Sequence, residues 1–223
     1  MSTDRVGSAP RQERSRRTQA AILAAGTELL EEGGFEALAV SAVAERAGVS
    51  VGGVYRRFGT KDQLLLALQE QFTTGFLEDF QARLAGAEDE TDGPELVRIA
   101  MSGMAESFRA RTRLLRVFIL ISTQHDAVSA VGSKAARAAG MSFRALLRRA
   151  ECAIVRSDSE AAIDFVYRLA YAACEHRVIH AGEHFESDLP LSWPVLTDEL
   201  TLTAQLYLFG GPRGSRSGWV GPG

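Results

Sequence analysis

Between Arg46 and Lys61 the sequence carries four cations (Arg46, Arg56, Arg57 and Lys61), one tyrosine (Tyr55) and no carboxylate. Ser50, Val51, Gly52 and Gly53 precede the tyrosine, and Gly59 and Thr60 follow Phe58. Guanidinium, ammonium and hydroxyl groups are the donors that hold phosphate oxygens. Crowded at the start of a helix, they suit a polyanion. The chain as a whole is not a polycation, because 25 Lys and Arg stand against 28 Asp and Glu, a net charge of -3. The positive charge is therefore local, and a focused patch suits one acidic partner better than general adhesion does. Arg5, Arg11, Arg14, Arg16 and Arg17 extend it toward the N-terminus, against Asp4 and Glu13.

Gly52 and Gly53 sit where a helix should be established, and each costs roughly 1 kcal/mol relative to alanine. Two readings are open. The bare backbone lets another surface come close, or the glycines only loosen a first turn or fit against a neighbouring helix. On the first reading that surface is DNA. Side-chain readout then falls to the methyls of Val51, which can meet a thymine methyl, and to a long side chain such as Arg56.

Other chemistry is sparse. His176, His180 and His184 recur every fourth residue beside Glu175 and Glu183. That spacing can share a metal on a helix, although the sequence is not HExxH; equally, it lines a polar helix face or an interface. No metal and no cofactor are assigned. No nucleophile–base–orienter pattern and no phosphate loop are present, and His125-Asp126 reads as a loop pair beside a helix cap, so an enzyme is not expected. Cys152 and Cys174 make neither a disulfide framework nor a CxxC pair. No run approaches the ~18 apolar residues of a membrane span, and the N-terminus lacks a secretory apolar stretch. A cytoplasmic protein with free thiols is the expectation.

The elements that must position these groups are helical, in an all-α chain of about nine helices. Between Pro10 and Pro190 the only proline is Pro94. Ile22, Ala25, Leu29 and Leu30 follow the helical period over Gln12–Glu32, closed by Gly33-Gly34. A short helix fits Val40–Ala47, stopped by Gly48. Ser50 caps the next, to about Phe58, and Thr60 caps a long one from Lys61 to about Leu84. Further helical patterns cover about Glu95–Arg111, Arg113–Thr123, Ala127–Ala153, Glu160–Ala181 and Pro194–Phe209. Residues 1–10 read as a flexible arm and 211–223 as a glycine-rich disordered tail. The domain boundary is expected near residue 62, with 11–62 and 63–210 as the two domains.

Two short helices meeting at "ERAGVS", the second brief, cationic and aromatic, read as a helix-turn-helix whose second helix enters the major groove. From Arg14 to Phe72 the sequence resembles the DNA-binding domain of the tetracycline-repressor (TetR) family of bacterial regulators. A helix ending in "GGF", then "AERAGVS", "GVYRRF" and "TKDQLL", come in that order and spacing. The resemblance implies that Ser50 caps the recognition helix and that Val51, Gly52 and Gly53 face base edges. It implies that Tyr55, Arg57 and Lys61 grip phosphates, that Phe58 is core, and that Ser41 touches the DNA backbone or a base. Thr60, the following cap, joins this DNA-facing set. The chain departs from many relatives in having Val51 in place of lysine, Gly53 in place of threonine, and Leu38-Ala39 where a threonine is common.

After residue 62 the resemblance is one of general shape, and it implies a ligand-binding and dimerising helical domain. Met101, Met104, Phe108, Phe118, Phe143, Leu147, Tyr167 and Tyr171, with Ser122 as a polar group, are candidates for an effector pocket; ordinary core packing is the other reading. Ile163, Val166, Ala170, Cys174 and Val178 form one stripe, and Leu196, Leu200, Thr203 and Tyr207 another. They suit either an intramolecular core or a homodimer interface in a four-helix bundle. The implied function is a homodimeric repressor of a palindromic double-stranded DNA operator, released by a small-molecule effector. The alternative is a DNA-binding regulator that responds to a metal or a protein partner.

Overall fold

The computed structural model describes residues 8–87, 89–180, 189 and 191–210. The expected C-terminal tail, His184 and most of the expected N-terminal arm lie outside them. Among the described residues the secondary structure is helical: α1 Ser8–Ala37, α2 Val40–Arg46, α3 Val51–Phe58, α4 Lys61–Ala85, α5 Gly93–Ala110, α6 Thr112–Ser122, α7 Asp126–Leu147, α8 Ser159–Ile179 and α9 Trp193–Phe209. A 3₁₀ turn, Arg148–Ala153, follows α7 where one longer helix was expected. Ala150 leaves helical geometry there (φ -103°, ψ 17°). α1 begins at Ser8, inside the expected arm.

The chain divides into two compact units. One comprises residues 1–78 and 111–136, the other 79–110 and 137–223. The unit holding the helix-turn-helix thus extends past residue 62, through most of α4, and takes in α6 and the start of α7. A shared core explains this. Ile22, Leu29 and Leu30 of α1, Val43 of α2, Val54 of α3 and Leu64, Leu65 and Leu68 of α4 are buried in one cluster with Phe118, Ile121 and Val128. Phe118 stacks on Phe72, ring centroids 5.2 Å apart. Buried Gln69 donates from Nε2 to the Val128 carbonyl at 2.8 Å, tying α4 to the first turn of α7.

Each short helix in this unit is set by local chemistry. Gly33 and Gly34 leave helical φ/ψ, Gly34 at φ 64°, and end the long run of α1. α2 starts without a side-chain cap, because Ala39 has no acceptor to offer. Gly48, at φ 65°, makes the turn to α3. Ser50 is extended, and its Oγ accepts from Gly53 N–H at 3.1 Å, which starts α3. Thr60 Oγ1 accepts from Gln63 N–H at 3.1 Å and starts α4.

In the second unit α5 packs against α8 and α9, which also meet each other. α5 buries Leu96, Val97, Ala100, Met101, Met104 and Phe108. Gly140 of α7 lies against the Tyr167 ring, so close that a Cβ there would stand 2.8 Å from it.

Candidate nucleic-acid interface

The register of α3 sorts its residues by column, since positions four apart share a face. Val54 is buried in the core and Phe58 is half-buried beside it. Val51 and Tyr55 form a neighbouring column, 42% and 48% exposed. Gly52 and Arg56 form a second exposed column. Gly53 and Arg57 form a third, and it turns toward α1: Arg57 Nη1 donates to Ser15 Oγ at 3.1 Å. A short helix that exposes an aliphatic, a tyrosine and an arginine while one valine anchors it has the form of a groove-reading helix.

The glycines now separate. A Cβ at Gly52 would meet nothing within 4 Å, so no neighbouring part of the chain requires glycine there. A Cβ at Gly53 would stand 3.2 Å from Ser50 Oγ, the capping atom itself. Gly53 thus has a local reason, room for the cap, and Gly52 has none inside the chain.

The cations separate as well. Arg46 Nη1 pairs with Glu32 at 2.8 Å and lies 3.7 Å from Glu28, so α1 largely neutralises it. The Lys61 ammonium sits 4.1 Å from the centroid of the Phe35 ring and 3.5 Å from the Phe35 carbonyl oxygen, half-buried. Its charge serves the end of α1, and His125 meets the edge of the same ring with centroids 5.5 Å apart. Ser41 is exposed on α2. Thr60 is exposed, with its hydroxyl oxygen used as the α4 cap.

Reading by sequence missed one feature. Arg14, Ser15 and Thr18 of α1, with Gly53, Arg56 and Arg57 of α3, line a cavity of about 500 Å³. The signal was present: residues 14, 15 and 18 share one face of a helix, and the arginines were visible as composition. What was not visible was that this face meets α3.

The second unit brings together several of the side chains named as pocket candidates. Phe108 meets Tyr171 edge-on at 5.3 Å, Tyr171 lies 5.9 Å from Tyr167, and Tyr167 lies 5.5 Å from Phe143. Met101, Met104 and Leu147 are buried in the same unit. Burial pushes the Tyr167 hydroxyl up to about 12 and raises that of Tyr171 as well, so both stay neutral hydrogen-bond donors. Burial also raises the Glu175 carboxyl above its ordinary value. Phe118 and Ser122 do not join this group. They belong to the first unit, where Phe118 is core and Ser122 donates its hydroxyl to the Ile119 carbonyl at 2.6 Å.

The expected interface stripes need correction. Ile163, Val166, Ala170, Cys174 and Val178, with Leu196 and Leu200, are buried inside the single chain. Only Thr203 and Tyr207 of the nine reach solvent. The large apolar side chains left exposed on these helices are Phe165 (51%), Leu202 (50%) and Leu206 (46%), with Val195 in the first turn of α9. Phe165 and Tyr207 are in ring contact at 5.3 Å. Both helices are apolar on two faces, and the more regular stripe is the one the monomer consumes. His176 and His180 stack with ring centroids 4.5 Å apart, and among the described residues no three His, Cys, Asp or Glu side chains gather as a metal site would need. No described helix is long and apolar enough to cross a membrane.

A short α3, capped by Ser50 and packed beside α1 and α2 with its outer residues exposed, has the form of a helix-turn-helix. Residues 22–68 match the profile of bacterial regulatory proteins, tetR family. It is 40% identical over 87 residues to the HTH-type transcriptional repressor KstR of Mycolicibacterium smegmatis, a stretch covering 39% of this chain and 41% of that protein. The chain thus spans about two fifths of the length of the curated relative it matches. The fold matches more widely. A TetR-family regulator structure from Mesorhizobium loti superposes with a TM-score of 0.69 at 13% identity, over 87% of this chain and 96% of that one. A TetR transcription regulator from Haloarcula marismortui does so with 0.66 at 16%, over 87% and 97%.

Proposed function

We propose that the chain is a homodimeric transcriptional repressor that binds a palindromic DNA operator and is released by a small-molecule effector. The observation that carries the reading is α3. It is capped by Ser50, anchored by Val54, and offers Val51, Gly52, Tyr55 and Arg56 outward. Two-fold symmetry matches two recognition helices to two half-sites about one helical turn apart. The exposed face of Phe165, Leu202 and Leu206 supplies the apolar surface for a second copy. The aromatic cluster of Phe108, Phe143, Tyr167 and Tyr171 supplies a mostly apolar seat with hydroxyl donors, suited to an effector that is largely hydrophobic with one or two acceptors. Release is a population shift: an effector that binds better to the subunit arrangement unsuited to the operator lowers DNA affinity by its differential affinity alone.

Selection of duplexes from a random pool at near-physiological salt tests this, with Tyr55→Ala as control. Enrichment of an inverted repeat that the control fails to bind is expected. A folded dimer that enriches no sequence would overturn the reading.

A further inference from the structure

The family resemblance implies phosphate contacts from Tyr55, Arg57 and Lys61, yet Lys61 is engaged within the chain by the Phe35 ring and carbonyl. Arg46 is likewise taken by Glu32 and Glu28. Of the four cations between residues 46 and 61, Arg56 and Arg57 are left for an external anion, and they line the cavity between α1 and α3. We propose that this cavity is a phosphate seat, built by Arg14 and Ser15 of α1 with Arg56 and Arg57 of α3, which holds one DNA backbone phosphate beside the stretch read by the recognition helix. The proposal rests on the DNA-binding reading above and assigns that site an anchor on α1.

The hydrogen-bond inventory shows why the seat is ready for an anion. Arg57 donates one N–H to Ser15 Oγ, which fixes the guanidinium beside α1 and leaves its other N–H groups to point elsewhere. Ser15 accepts that bond, so its own O–H stays available as a donor. Thr18 cannot serve in the same way, because its hydroxyl donates to the Arg14 carbonyl at 2.9 Å. Thr18 and Gly53 are therefore wall, while Arg14, Ser15, Arg56 and Arg57 are donors. No carboxylate lines the cavity. The nearest acidic residue in sequence, Glu13, is paired with Arg17 at 3.0 Å. Planar forked donors around one hydroxyl match a phosphodiester, whose two free oxygens accept in a bidentate manner. Gly53 bears no side chain, so the cavity stays open at α3.

The seat differs in kind from a diffuse basic surface, and that difference is what an experiment can read. Operator duplexes recovered by the selection above are titrated with wild type, Arg14→Ala, Arg14→Ala/Ser15→Ala and Arg16→Ala across a range of salt. Arg16 is exposed on the same helix and does not line the cavity, so its variant removes the same charge from outside the seat. Losing one phosphate contact lowers the slope of log affinity against log salt by about 0.9 per bound subunit. The affinity gap between wild type and Arg14→Ala should therefore narrow by about 3.5-fold for each bound subunit, about 12-fold for a dimer on its operator, from about 50 to about 200 mM salt. The loss should be equal on matched and mismatched duplexes. Arg16→Ala should change the slope clearly less, and ethylation of one backbone phosphate should interfere with wild type but not with the Arg14→Ala/Ser15→Ala variant. Equal slopes for Arg14→Ala and wild type, or for Arg14→Ala and Arg16→Ala, would overturn the seat while leaving the DNA-binding reading intact. Failure of the wild type to enrich any duplex would instead strike the reading itself.

Discussion

Replacing Gly52 by alanine should move stability and DNA affinity in opposite directions. The added Cβ meets nothing within 4 Å in the chain, and Gly52 has ordinary helical backbone in α3. The substitution therefore adds helix propensity at no steric cost. The gain is roughly 0.5–1 kcal/mol, and less if the first turn is already held by its cap. For a chain of this size that raises Tm by about 1–4 °C. The same methyl would lie on the exposed face of α3 that the proposed function turns toward DNA. If the helix backbone comes close to the groove floor, the methyl must push it out. The penalty should resemble one mismatched base pair, about 1–3 kcal/mol per half-site, a rise in Kd of tenfold or more. Thermal melting and fluorescence anisotropy on the same preparation measure both. A variant with higher Tm and unchanged Kd would refute close backbone approach, and Gly52 would then lack any reason in this fold. Gly53→Ala is the companion. Its Cβ would crowd Ser50 Oγ at 3.2 Å, so disturbance of the cap offsets the propensity gain and Tm should change little.

Three further outcomes follow from the same geometry. Lys61→Ala should lower Tm by about 1–4 °C, as a cation–π contact worth roughly 0.5–1 kcal/mol is lost, while changing the salt slope of DNA binding less than Arg14→Ala does; the reverse order would return the phosphate role to Lys61. Leu206→Glu should convert a dimer to monomer in sedimentation without loss of helical circular dichroism, because its side chain is exposed; a dimer that persists would show that the interface lies elsewhere. Burial alone pushes the Cys174 thiol from 9.0 to about 12, so at pH 8 a disulfide dye should react quickly with exposed Cys152 only, and with both thiols in denaturant. The raised value means that folding holds the Cys174 proton, so its contribution to stability is full below about pH 9 and is lost as pH climbs toward 12. Rapid reaction of two thiols in the native protein would contradict that burial.

Much of this protein is decided by local sequence. Gly33-Gly34, Gly48 and Gly59 stop helices, and Ser50, Thr60, Asp158 and Ser192 start them, because a cap and a positive-φ glycine act within four residues. The order of elements, the capped recognition helix and its outward residues follow from those signals and from helical period. Period also marks an apolar face, but not what it meets. α8 and α9 each have two such faces, and only packing shows that Ile163, Val166 and Leu200 go inward while Phe165, Leu202 and Leu206 stay out. The fate of each charge is likewise a long-range matter. Arg46 finds Glu32 across 14 residues, Lys61 finds Phe35 across 26, and Arg57 finds Ser15 across 42. A run of cations looks uniform along the chain; in three dimensions two are spent within the fold, and two face the cavity beside the recognition helix. Tertiary structure decides this because an ion's availability depends on which groups desolvate and pair with it, and those groups come from other helices.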